Sequence, residues 1–190
     1  MSATLIHGTE ASLEQTRKQA STNDQPDTAA VSRIDQVKYV AAGNGRSYKS
    51  PIDQVTFLLT GEQTGGALFM LEATVPPGCG NPPHIHDRED ETFYLQQGTL
   101  TVHVGDRTLN ASAGDVVRLP RGLVHRFQNN GNVDAKVLAV IEPAGFEKFF
   151  EEAFYSAADW PDAMPPMSDE FMTRVLTAAA KCGVTFLPPA

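Results

Sequence analysis

The sequence predicts an all-β fold, an antiparallel barrel in two sheets followed by C-terminal α-helices. Between about 37 and 144 the chain breaks into short β-rich runs separated by Gly, Pro, Asn and Asp, the spacing of sandwiches and barrels. No helical period fits that stretch. After Pro143, Phe146, Phe149, Phe150 and Phe154 fall at i, i+3, i+4 and i+8, the single apolar stripe of a helix.

Taken in order, residues 1–36 contain no aromatic side chain, and STNDQPDTAA is polar and turn-prone, so a flexible N-terminal extension is expected there. Within it Ser12 and Gln15 have capping-box spacing, which suits either a short helix or an arm that orders on a neighbouring subunit. The barrel itself is assigned to 37–144. VTFLL and ALFMLEATV flank TGEQTGG, read as a glycine-rich hairpin connection; TFYLQ, TLTVHVG, TLNAS, VVRLP, HRFQN and AKVLAVIE supply the later strands. A C-terminal helical segment, 145–190, packs on the barrel. Its first helix presents the phenylalanines inward and leaves Glu147, Lys148, Glu151 and Glu152 for water. After the loop WPDAMPP, Ser168 is placed to cap a second helix over DEFMTRVLTAAAKC, Gly183 to close it, and VTFLPPA to trail as a tail.

Charge narrows the partners. A net charge of -8, from 23 acidic against 15 basic side chains without a Lys/Arg cluster, argues against nucleic acid and anionic membranes and for a small molecule. The absence of a leader-like start and of a long apolar run points to a cytoplasmic protein with no membrane span. Cys79 and Cys182 are then expected as free thiols.

The chemistry concentrates in two segments. His84 and His86 are two residues apart, so in a strand both imidazoles project from one face and can converge on one ion. Glu91 follows on the next strand, and His125 lies behind a Pro/Gly turn. Three imidazoles and a carboxylate suit a divalent transition metal (Fe, Mn, Co, Ni, Cu or Zn) and disfavour Mg or Ca. Phe93 and Leu95 share strand parity with Glu91, and Phe127 shares it with His125, so all three are expected to line the substrate pocket. Asp87, Glu89 and Asp90 read as a solvated acidic rim from which one carboxylate can orient a ligand imidazole, and His103 as a surface or interface histidine.

These segments resemble the paired signatures of the cupin superfamily. The first runs Gly, five residues, His-x-His, four residues, Glu, six residues, Gly, filled by Gly78, His84, His86, Glu91 and Gly98. The second runs Gly, five residues, Pro-x-Gly, two residues, His, three residues, Asn, filled by Gly114, Pro120, Gly122, His125 and Asn129. The resemblance implies a jelly-roll barrel with one metal on His84, His86, Glu91 and His125. More loosely, the order of TGEQTGG, the barrel motifs, PAGFEKFFEEAF and GVTFLPP is similar to bacterial one-domain quercetin dioxygenase-like cupins. That likeness implies a homodimer that cleaves a flavonol or similar enolisable aromatic with dioxygen and releases carbon monoxide, Glu91 acting as both ligand and base. Two other readings stand beside it: a non-redox isomerase or lyase of a small hydroxy-carbonyl compound, and a non-catalytic ligand-binding cupin.

Overall fold

The computed structural model describes residues 37–160 and 167–188. The extension over 1–36 and most of the proline-rich loop, 161–166, lie outside the described residues.

Strands β1 (Ser47–Lys49) and β2 (Gln54–Leu59) lead into a one-turn helix, α1 (Gly61–Thr64), and then β3 (Phe69–Val75) and β4 (His84–His86). The barrel continues through β5 (Asp90–Gln97), β6 (Thr99–Val104), β7 (Arg107–Ser112), β8 (Val116–Leu119), β9 (His125–Gln128) and β10 (Ala135–Glu142). Helix α2 (Glu147–Ala153), strand β11 (Tyr155–Ser156), helix α3 (Asp169–Cys182) and strand β12 (Val184–Phe186) complete the described chain. A seven-stranded sheet has the order β11-β1-β2-β3-β10-β5-β8, and a five-stranded sheet the order β12-β4-β9-β6-β7. All their pairings are antiparallel, and the two sheets make a jelly roll with helices at its C-terminal end.

Strict alternation along the central strands puts the core between the sheets. Phe69, Leu71, Ala73 and Val75 of β3 and Ala135, Val137, Ala139 and Ile141 of β10 are buried, facing Leu100 and Val102 of β6. Each large side chain so buried contributes roughly 1.5–3 kcal/mol. Gly98 lets β5 turn directly into β6: its φ is +74°, and a Cβ there would stand 2.7 Å from the Asp134 carbonyl oxygen.

The phenylalanine stripe packs inward as expected. Phe150 reaches Phe57 at 6.1 Å between ring centroids, and Phe146 stacks on Phe149 at 5.0 Å. Ser168 caps α3 by accepting the Phe171 N–H at 3.1 Å, and Gly183 ends it in the left-handed conformation.

Three local expectations are corrected. TGEQTGG contains a helical turn because the Gln63 side chain accepts the Thr60 N–H at 2.9 Å, although β2 and β3 still pair as a hairpin. Glu147 is buried rather than wet: its carboxylate accepts the N–H groups of Gly61 at 2.9 Å and Gly145 at 2.8 Å, tying α2 to the β2–β3 connection. The VTFLPP tail is strand β12, which adds to the sheet edge beside β4 and pairs Val184 with His86 and Phe186 with His84.

Unfolding by urea should separate core from cap. Phe69→Ala is expected to cost about 3–5 kcal/mol and Ser168→Ala about 1 kcal/mol, with an unchanged m-value in the latter.

Candidate metal centre

Three strands position the four candidate ligand side chains. β4 is only three residues long, but it is held between β12 and β9, which turns His84 and His86 inward and Ile85 away. His125 opens β9 directly opposite His84. Glu91 comes from the other sheet, between Ile141 of β10 and Leu119 of β8. The turn before β9 reaches back to the first motif, Gly122 at φ +77° donating its N–H to the His86 carbonyl at 2.8 Å. Asn129 is wholly structural: its Nδ2 donates to the carbonyls of Val75 and Val133, both at 2.8 Å, and its Oδ1 accepts the Gly131 N–H at 2.9 Å.

One ligand atom from each of His84, His86, Glu91 and His125 lies within 4.8 Å of all the others, and all four residues are buried. His84 Nδ1 donates to the Pro82 carbonyl and His125 Nδ1 to the Leu123 carbonyl, each at 3.0 Å, which turns both Nε2 atoms toward the centre. His125 Nε2 is 3.0 Å and His86 Nε2 3.7 Å from Glu91 Oε2. Neither ring nitrogen of His86 has a hydrogen-bond partner, although Glu89 Oε2 stands 3.5 Å from its Nδ1. An orphaned imidazole in a dry interior is costly, about 1–3 kcal/mol per unpaired group, and a cation at the centre relieves it. The residues therefore fit a metal by donor type, convergence and unmet bonding.

Electrostatics agree. Burial, helped by the neighbouring His125, holds His84 down at about 4, so its imidazole is neutral and available as a donor. Burial alone would raise Glu91, but the His125 hydrogen bond and the nearby histidines bring its carboxyl well below the usual range and keep it ionised. For His86 burial opposes the charged ring, yet contact with Glu89 and the charges of Glu91, Glu89 and Asp87 shift it upward. Glu89 and Glu91 together ask for positive charge at the ring between them.

The acidic turn is not one rim. Asp87 is exposed, Glu89 is 3% exposed against His86, and Asp90 binds Arg118 at 2.7 Å and Arg121 at 2.9 Å. His103 is partly buried and bonds Thr108 across the β6–β7 hairpin at 3.1 Å. Cys79 and Cys182 are both free.

The cage opens on a cavity of about 470 Å³. Phe93 and Phe127 line it, whereas Leu95 does not: it is buried among Leu100, Val102, Ala111 and Val117, farther along β5. The sequence reading missed most of the wall, which comes from Phe146, Phe149 and Phe150 near α2, Phe171 and Val175 of α3, and Phe186 of β12. It also missed Ser50 and Asp53, polar residues of the β1–β2 loop on the same wall.

The cupin domain family matches residues 71–141, the stretch that carries all four candidate ligands. These residues are a cupin domain. The chain is 36% identical over 133 residues to germin-like protein 5-1 of rice, covering 65% of the chain and 60% of the relative. It is 32% identical over 126 residues to quercetin 2,3-dioxygenase of Aspergillus japonicus, covering 62% of the chain and 36% of that protein. Its matches thus span less than two-thirds of these relatives' lengths. Among solved structures, a predicted oxalate decarboxylase from Thermotoga maritima superposes with a TM-score of 0.53 at 25% identity, covering 56% of this chain and 99% of that one. Among the described residues, no helix is long and apolar enough to cross a membrane.

Titration of metal-stripped protein with Co²⁺, followed by competition against a chelator, tests the cage. Wild type should bind one equivalent with a rise in Tm, His125→Ala should lose stable binding, and Glu89→Gln should bind roughly 10–100-fold more weakly. Equal affinities for all three proteins would contradict the assignment.

Proposed function

We propose that this cupin is a metal-dependent dioxygenase that opens the heterocyclic ring of a flavonol or a similar enolisable aromatic. The observation that carries the reading is the pairing of the His84, His86, Glu91 and His125 cage with a large cavity walled chiefly by phenylalanine. Such a wall suits a flat aromatic molecule and gives a small dianion such as oxalate nothing to replace its hydration. Similarity to a quercetin 2,3-dioxygenase supports the same choice.

His84, His86, Glu91 and His125 would hold one divalent transition metal, which supplies Lewis acidity toward the substrate oxygens and electron-transfer capacity toward dioxygen. Glu91 is the proton acceptor in this reading. Its carboxylate is ionised, Oε2 is turned toward His125 and His86, and Oε1 has no side-chain partner among the described residues. A substrate hydroxyl delivered to Oε1 loses its proton there, which generates the electron-rich enolate that an oxygenase needs. Phe93 and Phe127, whose rings meet edge-to-face at 6.1 Å, would border the aromatic substrate and exclude water from the proton transfer.

Oxygen-electrode assays with quercetin, with carbon monoxide measured in the headspace, are expected to show one carbon monoxide released per dioxygen consumed. Glu91→Gln should retain some metal and lose turnover by roughly 10²–10⁴-fold. Undiminished turnover in that variant would refute the base role, and conversion that continues under nitrogen would replace the oxygenase with a non-redox enzyme.

A further inference from the structure

The cavity wall carries a second carboxylate that the metal centre does not use. Asp53 immediately precedes β2 and shares parity with Val55 and Phe57, which point into the barrel. It lines the large cavity and also a smaller one of about 60 Å³, and Glu91, Phe93, Phe127 and Phe150 border both. Asp53 and Glu91 are the two carboxylates on the described wall of the large cavity.

Its setting is built rather than incidental. Ser50 Oγ donates to Asp53 Oδ1 at 2.5 Å while accepting the N–H groups of Ile52 at 3.1 Å and Asp53 at 3.2 Å. The backbone closes the same turn, with Ser50 N–H donating to the Asp53 carbonyl at 2.9 Å. The carboxyl is therefore fixed through Oδ1. Oδ2 has no hydrogen-bond partner, and no basic side chain pairs with Asp53, among the described residues. Asn81, another polar group on this wall, has its Oδ1 already engaged by the Phe127 N–H at 2.7 Å. Burial pushes the Asp53 carboxyl up to about 6 despite the Ser50 hydrogen bond, the condition of a carboxylate short of donors.

From this geometry we infer that Asp53 is a specificity-determining residue, whose Oδ2 accepts a hydrogen bond from a phenolic hydroxyl of a substrate that meets the metal cage through a separate pair of oxygens. The substrate class is then a neutral polyphenol with hydroxyls beyond its chelating edge. Small dicarboxylates are disfavoured, because Asp53 and Glu91 would both repel them in an apolar cavity. The inference rests on the aromatic-substrate reading proposed above and adds the contact that selects among aromatics.

Binding can be separated from turnover with the Zn²⁺-loaded protein under nitrogen, titrated by fluorescence with quercetin and with 3-hydroxyflavone. The latter keeps the chelating hydroxyl and carbonyl and lacks the other hydroxyls. Wild type should prefer quercetin by about tenfold or more, the value of one hydrogen bond to a charged acceptor. Asp53→Leu should bind both compounds alike, Asp53→Asn should fall between, and oxalate should not compete. A role limited to holding the Ser50 turn would change folding without changing the ratio of the two affinities. A wild type that binds both compounds equally, or an unchanged ratio in either variant, overturns the Asp53 assignment and leaves the flavonol reading standing. A wild type that binds neither compound overturns both.

Discussion

The structure depends on one constraint: three imidazoles and a carboxylate share a water-poor interior, where each must be neutral, paired or bound to a cation. Isolated polar groups cannot be buried without a penalty of several kcal/mol in an apolar medium. The surrounding features answer that penalty. Backbone carbonyls of Pro82 and Leu123 fix two imidazoles through Nδ1, Glu89 stands behind the third, and Glu91 faces them from the opposite sheet. The pairing of β4 with β9 and β12, and of β5 with β10 and β8, keeps the four side chains in register.

A second constraint follows from where that centre opens. The C-terminal segment supplies much of the cavity wall beside the cage. Phe146 lies 4.6 Å from His86 and Phe186 lies 5.6 Å from His84 between ring centroids, so the apolar cavity reaches the proposed ligands themselves. Low polarity around a carboxylate base strengthens every charge interaction at the reacting atoms. The same apolarity makes the Ser50 and Asp53 pair conspicuous, since a polar group on such a wall needs a partner.

How much of this was legible in the sequence follows from what is local. The two-residue spacing of His84 and His86 is a statement of strand parity, and the Gly, Pro and Asn positions of both motifs are turn requirements, so the centre could be read before any coordinates. Ser168 and Gly183 were legible for the same reason. Parity gives a face but not a depth: Leu95 shares a face with Glu91 yet lies four residues on, roughly 13 Å along the strand at about 3.3 Å per residue, outside the cavity. Strand β12 was hidden because three residues carry no period, and only the open edge of β4 makes them a strand. Glu147 and Glu89 look like solvated acids in sequence; their settings come from partners that fold next to them, Gly61 and Gly145 for the first and His86 for the second.

X-ray absorption at the zinc edge of the Zn²⁺-loaded protein probes the central claim, the convergence of these four side chains on one ion. The account predicts a first shell of three imidazole nitrogens and one or more oxygens at about 2.0–2.2 Å, falling to two imidazoles in His125→Ala. A shell that contains sulfur, or one that does not change when His125 is removed, would contradict it.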